Sequence, residues 1–201
     1  IRLGGAQLRR NFGVRPDLIT MPLPSVSGSA AVPSTVDVYV NSIKTYSQEV
    51  GSGPFTINNI PVIDGHGDAR VVVRDATGRE SETVTPFATS GDLLKPGLFD
   101  YALDAGVARR HYGERSFDYG DDPLGLASLR YGRTDIFTGE AHAEAGAGLI
   151  NGGAGGVLAL GRLGTFNGAV AASSFENATG VQLHGEYQTE IAGIGLTLST
   201  T

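Results

Sequence analysis

Glu140, His142 and Glu144 occupy alternate positions, and Glu186 adds a further carboxylate beyond them. Two carboxyl groups flanking a sugar linkage are the machinery of glycoside hydrolysis, one as acid and one as base or nucleophile. The i, i+2, i+4 spacing has a simpler source. Successive side chains of a strand point to opposite faces, so one wetted face repeats polar residues at that interval with no substrate involved. Asp64-Gly65-His66-Gly67-Asp68 offers two carboxylates and an imidazole to a metal, but no further ligand cluster accompanies it, and a solvated Gly-rich turn has the same composition. His111 lies among Arg109, Arg110, Glu114 and Arg115, which reads as rim charge. Ser27-Gly28-Ser29 and Thr89-Ser90-Gly91 do not build the G-x-S-x-G elbow of a hydrolase. Asn151-Gly152-Gly153-Ala154-Gly155-Gly156 is followed by no Lys-Ser/Thr and is no phosphate loop; it is expected to be a turn. No catalytic residue, cofactor site or metal site is expected, and the chain is not read as an enzyme.

The elements that carry these residues are strands. Val181 to Glu190 reads Val, Leu, Gly, Tyr, Thr on one face and Gln182, His184, Glu186, Gln188, Glu190 on the other. Gly97–Val107 sets Phe99, Tyr101, Leu103, Ala105 and Val107 against Asp100, Ala102, Asp104 and Gly106. Phe137–Ala147 sets Phe and small residues against Thr138, Glu140, His142, Glu144 and Gly146. Further segments are expected at 126–131, 157–162 and 166–172, with turns at Asn151-Gly152-Gly153, Asn167-Gly168 and Asn177–Gly180. A greasy face opposite a wet one needs either a covering sheet, as in a soluble sandwich, or lipid outside and water inside, as in an outer-membrane barrel.

The stretch before about Phe87 has a different grammar. Short Val-rich strands are expected at 25–31, 35–41, 44–50, 54–60, 69–75 and 80–87; in the second, Val36, Val38 and Val40 share a face. That density of short strands and tight turns reads as a small β-sandwich. Before it, residues 2–9 read as one strand of the second type, followed by a linker punctuated by Pro16, Pro22 and Pro24. The order is therefore a strand and linker at 1–21, a sandwich at 22–87 and long strands at 88–201, with the sandwich inserted between strands of one wall. Met21, Pro22, Pro86 and Phe87 at its ends are candidate hinges.

Composition agrees with an all-β chain. Among 201 residues there are 30 Gly, one Met and no Cys, with a formal net charge of −6. Without cysteine there is no disulfide framework or thiolate site, and the acidic balance speaks against a nucleic-acid partner. No run reaches the ~18 apolar residues of a membrane helix; a membrane barrel, whose apolar residues alternate, would leave none. The chain starts without Met and without an apolar leader segment, and it ends in mid-pattern. It is expected to be a piece of a longer protein.

Three stretches resemble the fimbrial outer-membrane ushers of the chaperone–usher pathway: Gly5-Ala6-Gln7-Leu8; Gly53–Ile60 followed by Gly67–Val73, the Asp75–Arg79 turn and Thr85-Pro86-Phe87; and Leu93-Leu94-Lys95-Pro96-Gly97 with Tyr101 and Ala105-Gly106. Leu129–Asp135, Glu140–Glu144 and Leu160–Gly164 continue the likeness along the chain. One departure is Val107, where many members have an aromatic residue. The resemblance implies a gated outer-membrane pore that receives periplasmic chaperone–pilin complexes and releases the growing pilus, driven by subunit folding and needing no nucleotide. It implies a transmembrane antiparallel β-barrel segment with residues 22–87 as an inserted plug. Asp100, Asp104, Glu140, His142, Glu144, Gln182, His184 and Glu186 would then face the lumen, and the alternate residues would face outer-membrane lipid. In such a protein the glycosylation triplet at Asn177-Ala178-Thr179 is chance. A soluble, surface-exposed all-β adhesin-like binding module is the alternative; it would have to bury Phe99, Tyr101, Leu103, Val181, Leu183 and Tyr187. A complete small barrel is a third reading, though its lumen would barely hold the sandwich.

Overall fold

The computed structural model describes residues 3–15, 17–62, 65–111, 113–191 and 194–201. Fourteen strands run through the described residues: β1 Leu3–Arg9, β2 Val26–Ala30, β3 Ser34–Val40, β4 Ile43–Val50, β5 Gly53–Ile57, β6 Gly65–Asp75, β7 Glu80–Thr89, β8 Phe99–Arg109, β9 Tyr119–Thr134, β10 Phe137–Gly146, β11 Leu149–Ala159, β12 Thr165–Phe175, β13 Ala178–Ile191 and β14 Ile194–Thr200. The helical structure among them consists of single 3-10 turns at Phe12–Val14 and Gly161–Leu163.

β1 and β8–β14 form one antiparallel sheet in the order β1-β8-β9-β10-β11-β12-β13-β14. The sandwich leaves this wall after β1 and returns to it at β8, so β1 and β8 pair directly, Leu8 opposite Leu103. The sandwich is a four-stranded sheet, β4-β3-β6-β7, facing the two-stranded sheet β2-β5. Its core gathers Val26, Val36, Val38, Val40, Ile57, Ile60, Ala69, Val71 and Phe87. Val36 and Val38 are fully buried, as their alternation demands.

The turns follow their chemistry. Asn41 and Ser42 join β3 to β4 with positive φ at both positions (48° and 72°), the geometry that keeps a two-residue hairpin in step with strand twist. At the β6–β7 turn, Asp75 Oδ1 accepts from the amides of Thr77 and Arg79 and from the Thr77 hydroxyl, while Gly78 takes φ 83°.

Several sequence expectations are corrected. The glycine run 151–156 lies inside β11, and the preceding turn is at Ala147-Gly148; Arg162 falls in the 3-10 turn beyond the strand. Asn167-Gly168 lies inside β12, and the β12–β13 turn is at Glu176-Asn177, ahead of the expected position. The physical reason is the same each time. A wall strand with no core beneath it needs no bulky side chains, so Gly and Asn within it signal small contacts rather than chain reversal. Pro86 and Phe87 stand inside β7, which runs on to Thr89, and Phe87 belongs to the sandwich core. Both are thus held in the β6–β7 ladder, Pro86 opposite Asp68 and Phe87 opposite Gly67, rather than in the connection beyond it. β9 extends from Tyr119 to Thr134, taking in the segment before Leu126 and carrying Pro123 opposite Val107 near a bulge in the β8–β9 ladder. Pro at an irregularity removes no regular ladder bond.

Candidate functional site: the polar face of the wall and the sandwich upon it

Opposite residues in an antiparallel ladder share a face, so the register assigns every wall side chain. One row reads Asp100, Arg130, Glu140, Gly155, Ala169, His184. The next reads Ala102, Ser128, His142, Gly153, Ala171, Gln182. Asp104 shares this face with Glu144 through Leu126, and Glu186 joins it through Asn167, Val157 and Thr138. The structure thus brings all eight of the sequence-selected polar residues to one surface. Arg130 Nε donates to Glu140 Oε1 at 2.7 Å, and Gln188 Nε2 donates to Glu186 Oε1 at 2.6 Å. A hollow of about 550 Å³ opens there, lined among others by Arg9, Asp100, Arg130, Glu140 and His142. The carboxylates of this face are engaged by neighbouring side chains or spread along strands, an arrangement that hydrates a surface rather than activating a nucleophile.

The opposite face is apolar and open. Leu8, Leu103, Leu129, Ile150, Val170 and Leu183 lie on it, and Ile150, Val181, Leu183 and Leu198 are each 66–74% exposed. A water-soluble fold would cover these side chains. Where the row carries Gly139, Gly156, Gly168 and Gly185, aromatic rings lie along the sheet; a Cβ on Gly156 would meet Phe137 at 2.8 Å and one on Gly168 would meet Phe166 at 2.9 Å.

The sandwich rests on the polar side. Leu93, fully buried, packs with Val157 and Ala159, and Ala88 of β7 closes the cluster. The Leu94 amide donates to Thr138 Oγ1 at 2.8 Å, and Arg130 Nη2 donates to the Asp92 carbonyl. Gly132 lets this linker lie against β9, since a Cβ there would strike the carbonyl oxygens of Leu94 and Lys95. Arg162, at the β11–β12 turn, forms a two-pronged contact with Asp68 Oδ1 of β6 at 2.7 and 3.1 Å. Of the residues considered for a metal, Asp64 and the His66 side chain lie outside the described residues, and Asp68 is taken by Arg162. Pro16 also lies outside them. His111 pairs with Asp118 at 2.7 Å, closing the β8–β9 loop.

Sequence reasoning missed the residues that join the two parts: Arg130, Thr138, Arg162 and Leu93. The one available signal was Leu93-Leu94, an apolar pair in an otherwise polar connection. On the sandwich, Asp37 accepts from Ser47 at 2.6 Å and pairs with Lys44 at 2.7 Å. The Lys44 contact foremost, and the Ser47 hydroxyl after it, hold the Asp37 carboxyl below the usual carboxylate range.

The family model described as outer membrane usher protein matches residues 1–187. Among curated relatives, the chain is 33% identical over 130 residues to the outer membrane usher protein PefC of Salmonella typhimurium, covering 64% of this chain and 16% of that protein. It is 30% identical over 147 residues to the Escherichia coli usher FanD, covering 73% of this chain and 18% of that protein. The chain therefore spans less than a fifth of the length of these relatives. Among solved structures, the cryo-EM P pilus tip assembly intermediate of E. coli, containing PapC, PapD, PapK and PapG, aligns with a TM-score of 0.59 at 22% identity, over 94% of this chain and 23% of that one. That likeness carries the fold.

Proposed function

Since the chain belongs to the outer membrane usher family, we propose that it is an arc of a gated outer-membrane pore with its plug, through which pilus subunits brought by a periplasmic chaperone are assembled and secreted. The observation that carries this reading is the sidedness of the wall. The sandwich sits on the polar face, and the opposite face leaves large apolar side chains uncovered. Lipid satisfies that face, and a hydrated lumen satisfies the other. The adhesin-like alternative fails to account for it, because the sandwich covers the face that least needs covering.

On this reading residues 1–21 supply a barrel strand and linker, 22–87 the plug with its last strand running on to Thr89, and 88–201 further wall. The free edges at β1 and β14 take neighbouring strands in the closed barrel, because an open edge in lipid leaves backbone groups unsatisfied. The polar lining, with Asp100, Asp104, Glu140, His142, Glu144, Gln182, His184 and Glu186, keeps the passage wet and gives a folded subunit no apolar surface to adhere to. Transport of this kind needs no covalent chemistry from the wall, in keeping with a family of secretion pores. The test is charge reversal at Glu140 and Glu186 in the full-length protein. Barrel folding in the outer membrane is expected to persist, while plug seating or subunit transit changes, read as antibiotic leakage and as surface fibres. Unchanged leakage and fibre display would count against the lumen assignment.

A further inference from the structure

Two arginines stand on the apolar face of the wall, near one rim. The Arg10 amide donates to the Tyr101 carbonyl at 2.9 Å, which extends the β1–β8 ladder by one residue and sets Arg10 on the face of Leu8 and Tyr101. Its guanidinium carbon lies 4.8 Å from the centre of the Phe12 ring and 5.1 Å from that of Phe99, and Nη1 donates to the Phe99 carbonyl at 2.8 Å. The stacking fixes the fork, while most of its five N–H donors stay open. Phe99 and Tyr131 stand opposite each other, and Arg133 follows Tyr131 on the far side of that pair. Arg133 is the extra residue of a bulge, since Gly132 faces Thr138 and Thr134 faces Phe137. A bulge of this kind re-aims a side chain. Among the described residues neither arginine is paired with a carboxylate. Farther from the rim the same face is hollowed. Leu103, Ala127 and Ala143 form one row, and Ala105, Gly125, Ala145 and Ile150 the next. Leu103 and Ile150 stand on either side, and the small residues between them leave an apolar trough of about 580 Å³.

We propose, building on the pore reading, that this surface binds one glycerophospholipid, its phosphate held at Arg10 with Arg133 as a second cation, and one acyl chain lying in the trough. The spacing fits a single lipid. From Phe99 to Ala105 is about 20 Å of strand. At a tilt of ~45° that is about 14 Å of depth, close to half of the ~30 Å hydrocarbon core. Charge selects the headgroup, because a guanidinium fork matches phosphate oxygens. The leaflet follows from the connections. The rim beside Phe99 carries the short β9–β10 turn, and the opposite rim carries the longest connection within the wall, from Arg109 to Tyr119. Outer-membrane barrels keep short turns in the periplasm and longer loops outside. The arginines therefore meet the periplasmic leaflet, which is built of glycerophospholipid, rather than the lipopolysaccharide of the outer one.

The test uses the full-length protein extracted in mild detergent, with native mass spectrometry counting the lipid that stays bound. The parent is expected to keep one glycerophospholipid. Arg10→Gln together with Arg133→Gln should cut the retained fraction at least fivefold. Ala127→Phe, which fills the trough and leaves both arginines, should do the same. Val170→Leu, on the same face outside the trough, should change nothing. Absence of lipid on the parent, or lipopolysaccharide in its place, overturns the proposal. So does undiminished retention in the arginine or the trough variant, the result expected if the arginines only reach for water. Heat-modifiable gel mobility verifies that each variant folds. Should one misfold, the parent decides alone. Short-chain phosphatidylglycerol should displace the bound lipid at a concentration at least tenfold below that of a neutral glycoside with the same chain length; equal displacement overturns phosphate recognition. If the full-length protein does not insert into lipid vesicles, the pore reading itself fails; insertion without a retained lipid removes only the lipid site.

Discussion

The main-chain amide of Leu94 donates to Oγ1 of Thr138 across 2.8 Å, tying the linker that returns from the sandwich to a side chain of the wall. Thr138 is fully buried beneath it. Thr138→Val keeps the shape and removes the acceptor, leaving a buried N–H without a partner, a loss of about 1–3 kcal/mol. Thr138→Ser should recover most of it. Urea midpoints of the full-length protein in detergent measure the difference, and equal midpoints for the Val and Ser variants would contradict the bond's role.

The sidedness of β13 gives a paired prediction. Leu183→Arg places a cation on the open apolar face, at a cost of about 2–4 kcal/mol if it lies near the bilayer midplane. Gln182→Arg, one residue away on the polar face, should fold like the parent. Folding yield into lipid vesicles separates them; similar yields would mean that the two faces meet the same medium.

Acidification should loosen the plug through Asp37. Its folded-state carboxyl lies below the ordinary range, so its contribution is present at neutral pH and is lost as the pH falls through and below about 4. Asp37→Asn should lower plug stability at pH 7 and flatten its decline in acid. Protease susceptibility of the plug as a function of pH is the readout. A variant with the parent's acid profile would assign that decline to other groups.

Val38 is fully buried in the sandwich core. Val38→Ala removes two methylene equivalents and leaves a small cavity, for about 2 kcal/mol in all. Because the wall has a separate sheet, that loss should appear as earlier proteolysis of residues 26–89 while barrel mobility on gels stays unchanged.

How much of this could be read from the sequence depends on what each strand must do. Val36, Val38 and Val40 announced themselves because a core selects bulky residues at period two. Asp100, Glu140 and Gln182 were assigned to one face for the same reason of period, and the ladder register puts them on one face. β11 was misread because a strand between lipid and water can be built from Gly and Ala, and its pairing with β10 and β12 is invisible in composition. Arg162 and Asp68 are 94 residues apart, and nothing local in either marks the other as its partner.

The adjacency of Pro22 and Thr89 bears on the order in which the chain assembles. β1 must wait for β8, and the intervening segment is long enough that closing it early is unfavourable. Once the sandwich has folded, its two ends are held together at the Pro22–Thr89 contact. The loop that β1 and β8 must close shrinks roughly fourfold, lowering the entropy of closure by about 1.2 kcal/mol. The inserted domain thus acts as a staple for the seam on either side of it.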